Sequence, residues 1–242
     1  ELDIPVFHDD QHGTAIVTAA ALMNALKIVK KNLADIRVAI NGAGAAGIAI
    51  AKFLLNMGVT DVTMCASRGI ICEGDTRVNP AQQEIAKVTN RRRLTGTLAD
   101  AMRGADVLIG VSVANCIDKD MVRSMAKDPV LFTCANPVPE INPRDALDAG
   151  AAVVGTGSSE YPNQINNVLV FPGLFRGALD VRASTVNAEM MIAAAQGIAS
   201  CVSDKELRPD YILPFAYDKR AHDAVAKAVA EAAVRTGVSK LR

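Results

Sequence analysis

The sequence predicts an α/β fold built on a doubly wound parallel sheet with additional C-terminal helices. Three observations predict it. Short apolar runs of strand length alternate with longer runs of helical character along most of the chain. A glycine turn, Gly42-Ala43-Gly44-Ala45-Ala46-Gly47, falls between the first of those strands and the helix after it. Of the 242 residues, 50% are hydrophobic, which is enough to fill a buried core.

The elements follow in order. Residues 14–31 are rich in Ala, Leu, Ile, Val and Met and end in Lys27, Lys30 and Lys31, where cations complement the dipole of a helix. The apolar breadth of that helix implies deep burial. Residues 36–41 read as a short strand, 42–47 as the glycine turn, 48–57 as a helix closed by Gly58, and 62–65 as a second strand. Together they make a βαβ unit. Asn79-Pro80 opens a helix with a cap and a proline at its first position, Thr97 begins another, and 107–110 form a strand. Asp118 caps a short helix, 130–134 is strand-like, Asn142-Pro143 starts a helix ended by Gly150, and 152–155 give one more strand. This is a Rossmann-like pattern. Beyond Gly155 the sequence reads as loop around 161–173, then as an Ala/Met-rich helix over 184–202 and a last helix over 219–234. With no repeat, low-complexity tract or flexible linker, the simplest partition is one domain over 1–242 with a helical extension from about 184.

Lys plus Arg and Asp plus Glu both number 26, so no long-range field recruits nucleic acid or an anionic membrane, and small molecules are the expected partners. The cysteines Cys65, Cys72, Cys116, Cys134 and Cys201 are odd in number and never spaced as a metal or redox pair. Free thiols in apolar runs point to the reducing cytoplasm. No apolar run reads as membrane-spanning, and Glu-Leu-Asp-Ile-Pro at the start resembles neither a signal nor a transit peptide. A start without Met, so close to a charged motif, is read as a processing boundary with sequence before it.

The glycine turn matches the spacing at which backbone amides at a helix N-terminus receive a pyrophosphate, so Gly42, Ala43, Gly44, Ala45, Ala46 and Gly47 are candidate dinucleotide-binding residues. A glycine turn that serves only strand–helix packing is the bland alternative. Dinucleotide folds that prefer NAD place a carboxylate at the end of the second strand. Here that end reads Cys65-Ala66-Ser67-Arg68, and Ser67 and Arg68 offer a hydroxyl and a cation to a 2′-phosphate, which leans the choice towards NADP. Arg91, Arg92 and Arg93 read as an exposed charge run.

His8-Asp9-Asp10-Gln11-His12 packs two carboxylates and two imidazoles into five residues, a density that burial makes costly unless a cation or base requires it. A hard divalent metal would favour carboxylate oxygen. In an extended segment Asp9 and Asp10 point to opposite sides, so one meets the ion and the other orients a neighbour. An acidic N-cap for the helix near Gly13 is the alternative.

Five strings in order, PVFHDDQHGTA, NGAGAAG, TLADAMRGADVLIGVS, ANPVPEI and NQINNVLVFPG, resemble the malic enzymes, especially the bacterial type. The resemblance implies an enzyme that oxidises malate and decarboxylates it to pyruvate and CO₂, reducing NADP or NAD with the help of Mg²⁺ or Mn²⁺. It implies that Asp10 is a metal ligand and that Asp9 hydrogen-bonds a catalytic lysine. It also implies that Asn136 lies beside the nicotinamide and malate, and that one of Asn166 and Asn167 contacts the substrate. The family's remaining metal carboxylates, its general-base lysine and its general-acid tyrosine lie upstream of the acidic string. None of them is in this sequence, and Glu1 and Asp3 are wrongly spaced to replace the missing carboxylates. The chain by itself is therefore expected to bind dinucleotide but not turn over malate, and to associate as a homo-oligomer, a dimer by expectation. Two other classes stay open at this point, a stand-alone dinucleotide-binding or regulatory module and a dehydrogenase acting on amino acids.

Overall fold

The computed structural model describes residues 4–241; the spacing argument about Glu1 and Asp3 lies outside the described residues. Its centre is a six-stranded sheet. The strands are β1 (Arg37–Asn41), β2 (Asp61–Ala66), β3 (Gly69–Ile70), β4 (Val107–Gly110), β5 (Val130–Thr133) and β6 (Val153–Thr156), in the order β3-β2-β1-β4-β5-β6. All neighbours pair in parallel except β3, which turns back on β2.

Both faces of the sheet are covered, and period-two alternation sorts its side chains between them. Val38, Ile40, Val62, Met64, Val107, Ile109, Val130, Phe132 and Val153 join one core, shared with α1 (Thr14–Val29), α2 (Ala45–Met57), α7 (Phe171–Asp180), α8 (Ala188–Ser200) and α9 (Lys219–Arg235). Ala39, Cys65, Leu108, Leu131 and Val154 join the other, with α4 (Leu98–Met102), α5 (Lys119–Arg123) and α6 (Pro143–Asp148). A right-handed crossover from β1 outward to β2 places its helix on one face, and the crossovers running the other way, to β4, β5 and β6, place theirs on the opposite face. The order therefore reverses between β1 and β4, and the crevice of such a sheet opens at that point.

The forecast strands and most forecast helices form, with small shifts at their ends. The cap and first-position proline forecast for α3 (Pro80–Ala86) are present, and the cap closes into a box, with Asn79 accepting from the Gln82 amide at 3.0 Å and Gln82 answering the Asn79 amide at 3.1 Å. Three readings need correction. The acidic segment is a π-helical turn, Asp9–Gly13, continuous with α1, and not extended. The helix α7 begins at Phe171, inside the stretch read as loop, and runs on through residues given no element; its Gly173 and Gly177 let α9 approach, and a Cβ at Gly177 would lie 2.3 Å from the Ala226 carbonyl oxygen. The helix Asp9–Val29 is long and apolar enough to cross a membrane, contrary to the expectation from the sequence. It packs against α2 and α8 with 11 buried residues in α1 alone, and that burial accounts for its composition.

Candidate functional site

The turn after β1 shows why each glycine is there. Gly42 has φ +117°, and a Cβ on it would press into the Val111 carbonyl oxygen at 2.7 Å. Gly47 lies in the first turn of α2, where a Cβ would sit 1.8 Å from the Gly42 carbonyl oxygen, so helix and strand are closer than any side chain permits. Gly44 differs, because nothing lies within 4 Å of its missing Cβ. It caps α2 without a side-chain hydrogen bond, so no capping side chain satisfies the first amides of the helix. Tight turn, close helix packing and an unobstructed approach are what a pyrophosphate on a helix N-terminus demands.

A cleft of about 560 Å³ lies at the carboxyl ends of the parallel strands. Ala46 borders it from α2, Val111 and Ser112 follow β4, Cys134, Ala135 and Asn136 follow β5, Gly157 follows β6, and Gln164, Ile165, Asn166 and Asn167 complete the wall. Asp10, Thr14 and Val17 close it from the other side. The fold thus brings together four residues singled out from distant parts of the sequence: Asp10, Asn136, Asn166 and Asn167. A larger hollow of about 750 Å³ between α1, α2 and α8 holds none of them.

The π-helical turn separates the two carboxylates. Asp10 is exposed at the cleft, while Asp9 turns inward and accepts from the Asn167 side-chain amide. Its other oxygen, Oδ1, is buried with no hydrogen-bond partner among the described residues. Burial, and next the charge of Asp10, raise the Asp9 pKa above the ordinary carboxylate value, although the Asn167 bond opposes them. A buried carboxylate oxygen without a donor is a costly arrangement to keep unless a ligand or another group satisfies it. Neither aspartate caps α1 through its side chain, so the capping alternative has no support. The segment is braced by Phe7, whose ring lies 5.3 Å from that of His12 and 5.8 Å from that of Phe175. His12 Nδ1 accepts from the His8 amide at 3.1 Å, and burial lowers its pKa, which keeps that nitrogen an acceptor.

Asn166 and Asn167 divide their amides differently. Asn166 Oδ1 accepts from the Val168 amide at 3.0 Å and starts the 3₁₀ turn Asn167–Leu169; Asn167 gives its NH₂ to Asp9. Each retains one half of its amide for a ligand. Asn136 is exposed at the end of β5, joined to Pro137 by a cis peptide bond.

Ser67 and Arg68 are exposed at the hairpin turn joining β2 to β3, outside the lining of the cleft and beyond the glycine turn, whose Gly42 amide bonds the Cys65 carbonyl at 2.9 Å. The sequence reading missed a carboxylate nearby. Asp75 lies close enough to Arg68 to feel its charge, but Arg77 clasps it with two bonds of 2.8 Å, and hydrogen bonding to Arg77 takes its pKa down to about 2. The reading also missed Gln82, which donates to the Ala43 carbonyl at 2.9 Å and ties α3 to the glycine turn. Of the arginine run, all three residues are exposed, but Arg92 reaches back to Asp61 at 2.9 Å.

A divalent ion has only part of its ligand set here. Among the described residues no three His, Cys, Asp or Glu side chains converge to hold a metal. Asp10 offers one carboxylate and Asn167 an amide oxygen, whereas a hard cation takes about six oxygens. The donors present fill only part of such a shell.

A comparison of the sequence with protein families matches residues 11–234 to the family described as "Malic enzyme, NAD binding domain". The chain belongs to that family. A "Bifunctional malic/malolactic enzyme" of Bacillus subtilis is 60% identical over all 242 residues, which are 59% of the relative's length. An "NADP-dependent malic enzyme" of Rhizobium meliloti is 45% identical over 99% of this chain and 33% of its own. The crystal structure of an NAD-dependent malic enzyme from Thermotoga maritima superposes with a TM-score of 0.90 at 45% identity, covering 95% of this chain and 60% of that one. The chain spans between one third and three fifths of the length of these relatives. The malic enzyme match does not extend to Asp9 and Asp10 in the family comparison, which begins at residue 11, but the Bacillus relative covers both.

Proposed function

We propose that the chain supplies the dinucleotide cleft and part of the metal and substrate site of an enzyme that oxidatively decarboxylates malate to pyruvate and CO₂. The observation that carries this reading is the convergence of Asp10, Asn136, Asn166 and Asn167 on the cleft that Ala46 of the glycine turn also borders. A module that only held a nucleotide would need neither a carboxylate nor amides facing its ligand's reactive end.

In this reading the amides of the α2 N-terminus, framed by Gly42, Ala43, Gly44, Ala45, Ala46 and Gly47, hold the pyrophosphate of NAD or NADP. Ser67 and Arg68 lie towards the adenosine end, where Arg68 provides charge for a 2′-phosphate. Asn136 orients nicotinamide and malate, and one of Asn166 and Asn167 contacts malate. Asp10 ligates Mg²⁺ or Mn²⁺ together with ligands from a longer polypeptide. When bound, the cation polarises the C2 oxygen of malate and offsets the charge that builds as CO₂ leaves, and the dinucleotide takes the hydride from C2. Asp9, held by Asn167, offers its other oxygen to an N–H donor on the longer polypeptide, an amine that in its neutral form takes the hydroxyl proton and becomes the cation Asp9 then stabilises. Without that donor and the remaining ligands the 242 residues alone bind dinucleotide and leave malate unturned. The complete protein works in the cytoplasm as a homo-oligomer, a dimer.

Asp10→Asn in the complete protein tests this. Pyruvate formation should fall about a thousandfold or more through loss of a metal carboxylate, with dinucleotide affinity and thermal midpoint unchanged. Activity that survives with an unchanged Mn²⁺ requirement refutes the assignment.

A further inference from the structure

Glu140 is fully buried, and none of the roles above falls to it. It follows Pro137, Val138 and Pro139, a stretch with two residues that carry no amide hydrogen. From there its carboxylate turns back under the cleft. Oε1 accepts from the Ser112 amide at 3.1 Å, and Oε2 accepts from the Ala135 amide at 3.0 Å. Its main-chain oxygen accepts from the Ile117 amide at 3.1 Å, further along the chain from Ser112. Ser112 lies two residues beyond β4 and Ala135 two beyond β5, so one side chain spans two neighbouring strands just where their ladder ends. Both residues border the cleft, and Ala135 immediately precedes Asn136.

The sheet is shaped to admit this carboxylate. Gly110 ends β4, and a Cβ there would lie 2.4 Å from Glu140 Oε1. No arginine, lysine or histidine pairs with Glu140 among the described residues. Burial raises its pKa and the amide bonds hold it down, so the loop amides are what stabilise the charge. Such a group is costly to keep for packing alone. A glutamine has one acceptor oxygen and an NH₂ that only donates, so it leaves one of the two loop amides facing a donor.

We propose that Glu140 is a positioning residue for the bound dinucleotide, clamping the β4 and β5 loops at the separation that sets Ser112 and Asn136 across the cleft. This rests on the cleft being the dinucleotide site. The test uses the complete protein and reads two quantities without malate: the dissociation constant of the reduced dinucleotide, by its fluorescence, and the thermal midpoint. Glu140→Gln should weaken dinucleotide binding about tenfold, since one amide is left unsatisfied. Gly110→Ala displaces the same carboxylate from the strand side and should weaken binding to a similar degree, which carries the test alone if Glu140→Gln does not fold. A remote core variant, Val229→Ala in α9, should lower the midpoint yet leave the dissociation constant within about twofold, as distant sites act independently. A folded Glu140→Gln protein that binds as tightly as the wild type overturns the clamp and leaves the cleft assignment standing. The clamp is also overturned if Val229→Ala weakens binding as much as Glu140→Gln does. A wild-type protein that binds no dinucleotide overturns the cleft assignment and the clamp with it.

Discussion

A single methyl group added at Gly44 or at Gly47 should have opposite effects on stability, because the two glycines are small for different reasons. At Gly47 the new Cβ would lie 1.8 Å from the Gly42 carbonyl oxygen and 3.0 Å from its carbon, both backbone atoms that cannot turn aside. The helix must move off the strand, and overpacking of this kind costs about 1–3 kcal/mol. For a domain of this size each kcal/mol lowers the thermal midpoint by roughly 2–4 °C, so Gly47→Ala should lose about 2–12 °C. At Gly44, φ is −88° and nothing lies within 4 Å, so alanine fits. By restricting the unfolded chain it should add about 0.4–1 kcal/mol of stability. The same methyl group fills the space a pyrophosphate must enter, and dinucleotide affinity should fall at least tenfold, about 1.4 kcal/mol. Melting curves without ligand and fluorescence titration with reduced dinucleotide measure both effects. The reasoning is refuted if Gly44→Ala melts as early as Gly47→Ala, or if it binds dinucleotide as tightly as the wild type.

Three further outcomes follow from the same geometry. Arg68→Asp should weaken NADP⁺ about tenfold or more by replacing a cation with an anion beside a 2′-phosphate, while NAD⁺ changes little; steady-state KM values for the two cofactors decide it. Asp75 is held ionised by Arg77, with its pKa taken from the ordinary 3.8 down to about 2. Its contribution is present above 3.8 and is lost as the pH falls towards 2, so the melting difference between wild type and Asp75→Asn should be positive at neutral pH and close over that interval. Gly177→Ala should lower the thermal midpoint by about 2–12 °C through overpacking of α7 on α9, with dinucleotide affinity unchanged.

Much of the fold is legible because its two signals are local. The strands are short runs such as Val107–Gly110, buried on both faces, and the helices between them carry their own caps at Asn79, Asp118 and Asn142. What escaped depends on contacts across the chain. The helix α7 contains Phe171, Pro172, Gly173 and Gly177, poor helix formers whose glycines are explained only by α9 lying against them; their spacing of four was the available signal. The acidic segment was read as extended because two adjacent carboxylates favour no regular element, whereas the rings of Phe7 and Phe175 hold it beside the helix it continues. The site was legible through its motifs, from the glycine turn to Asn167. Glu140 was not, since an isolated glutamate after two prolines reveals its purpose only once the sheet brings Ser112 and Ala135 within reach of it.

The most direct test of the central claim is product analysis with the complete protein, supplied with malate, Mn²⁺ and either NAD⁺ or NADP⁺. Pyruvate and reduced dinucleotide should form in equal amounts, and Asp10→Asn should abolish formation of both. Dinucleotide binding without malate turnover, or oxidation that stops at oxaloacetate, would contradict it.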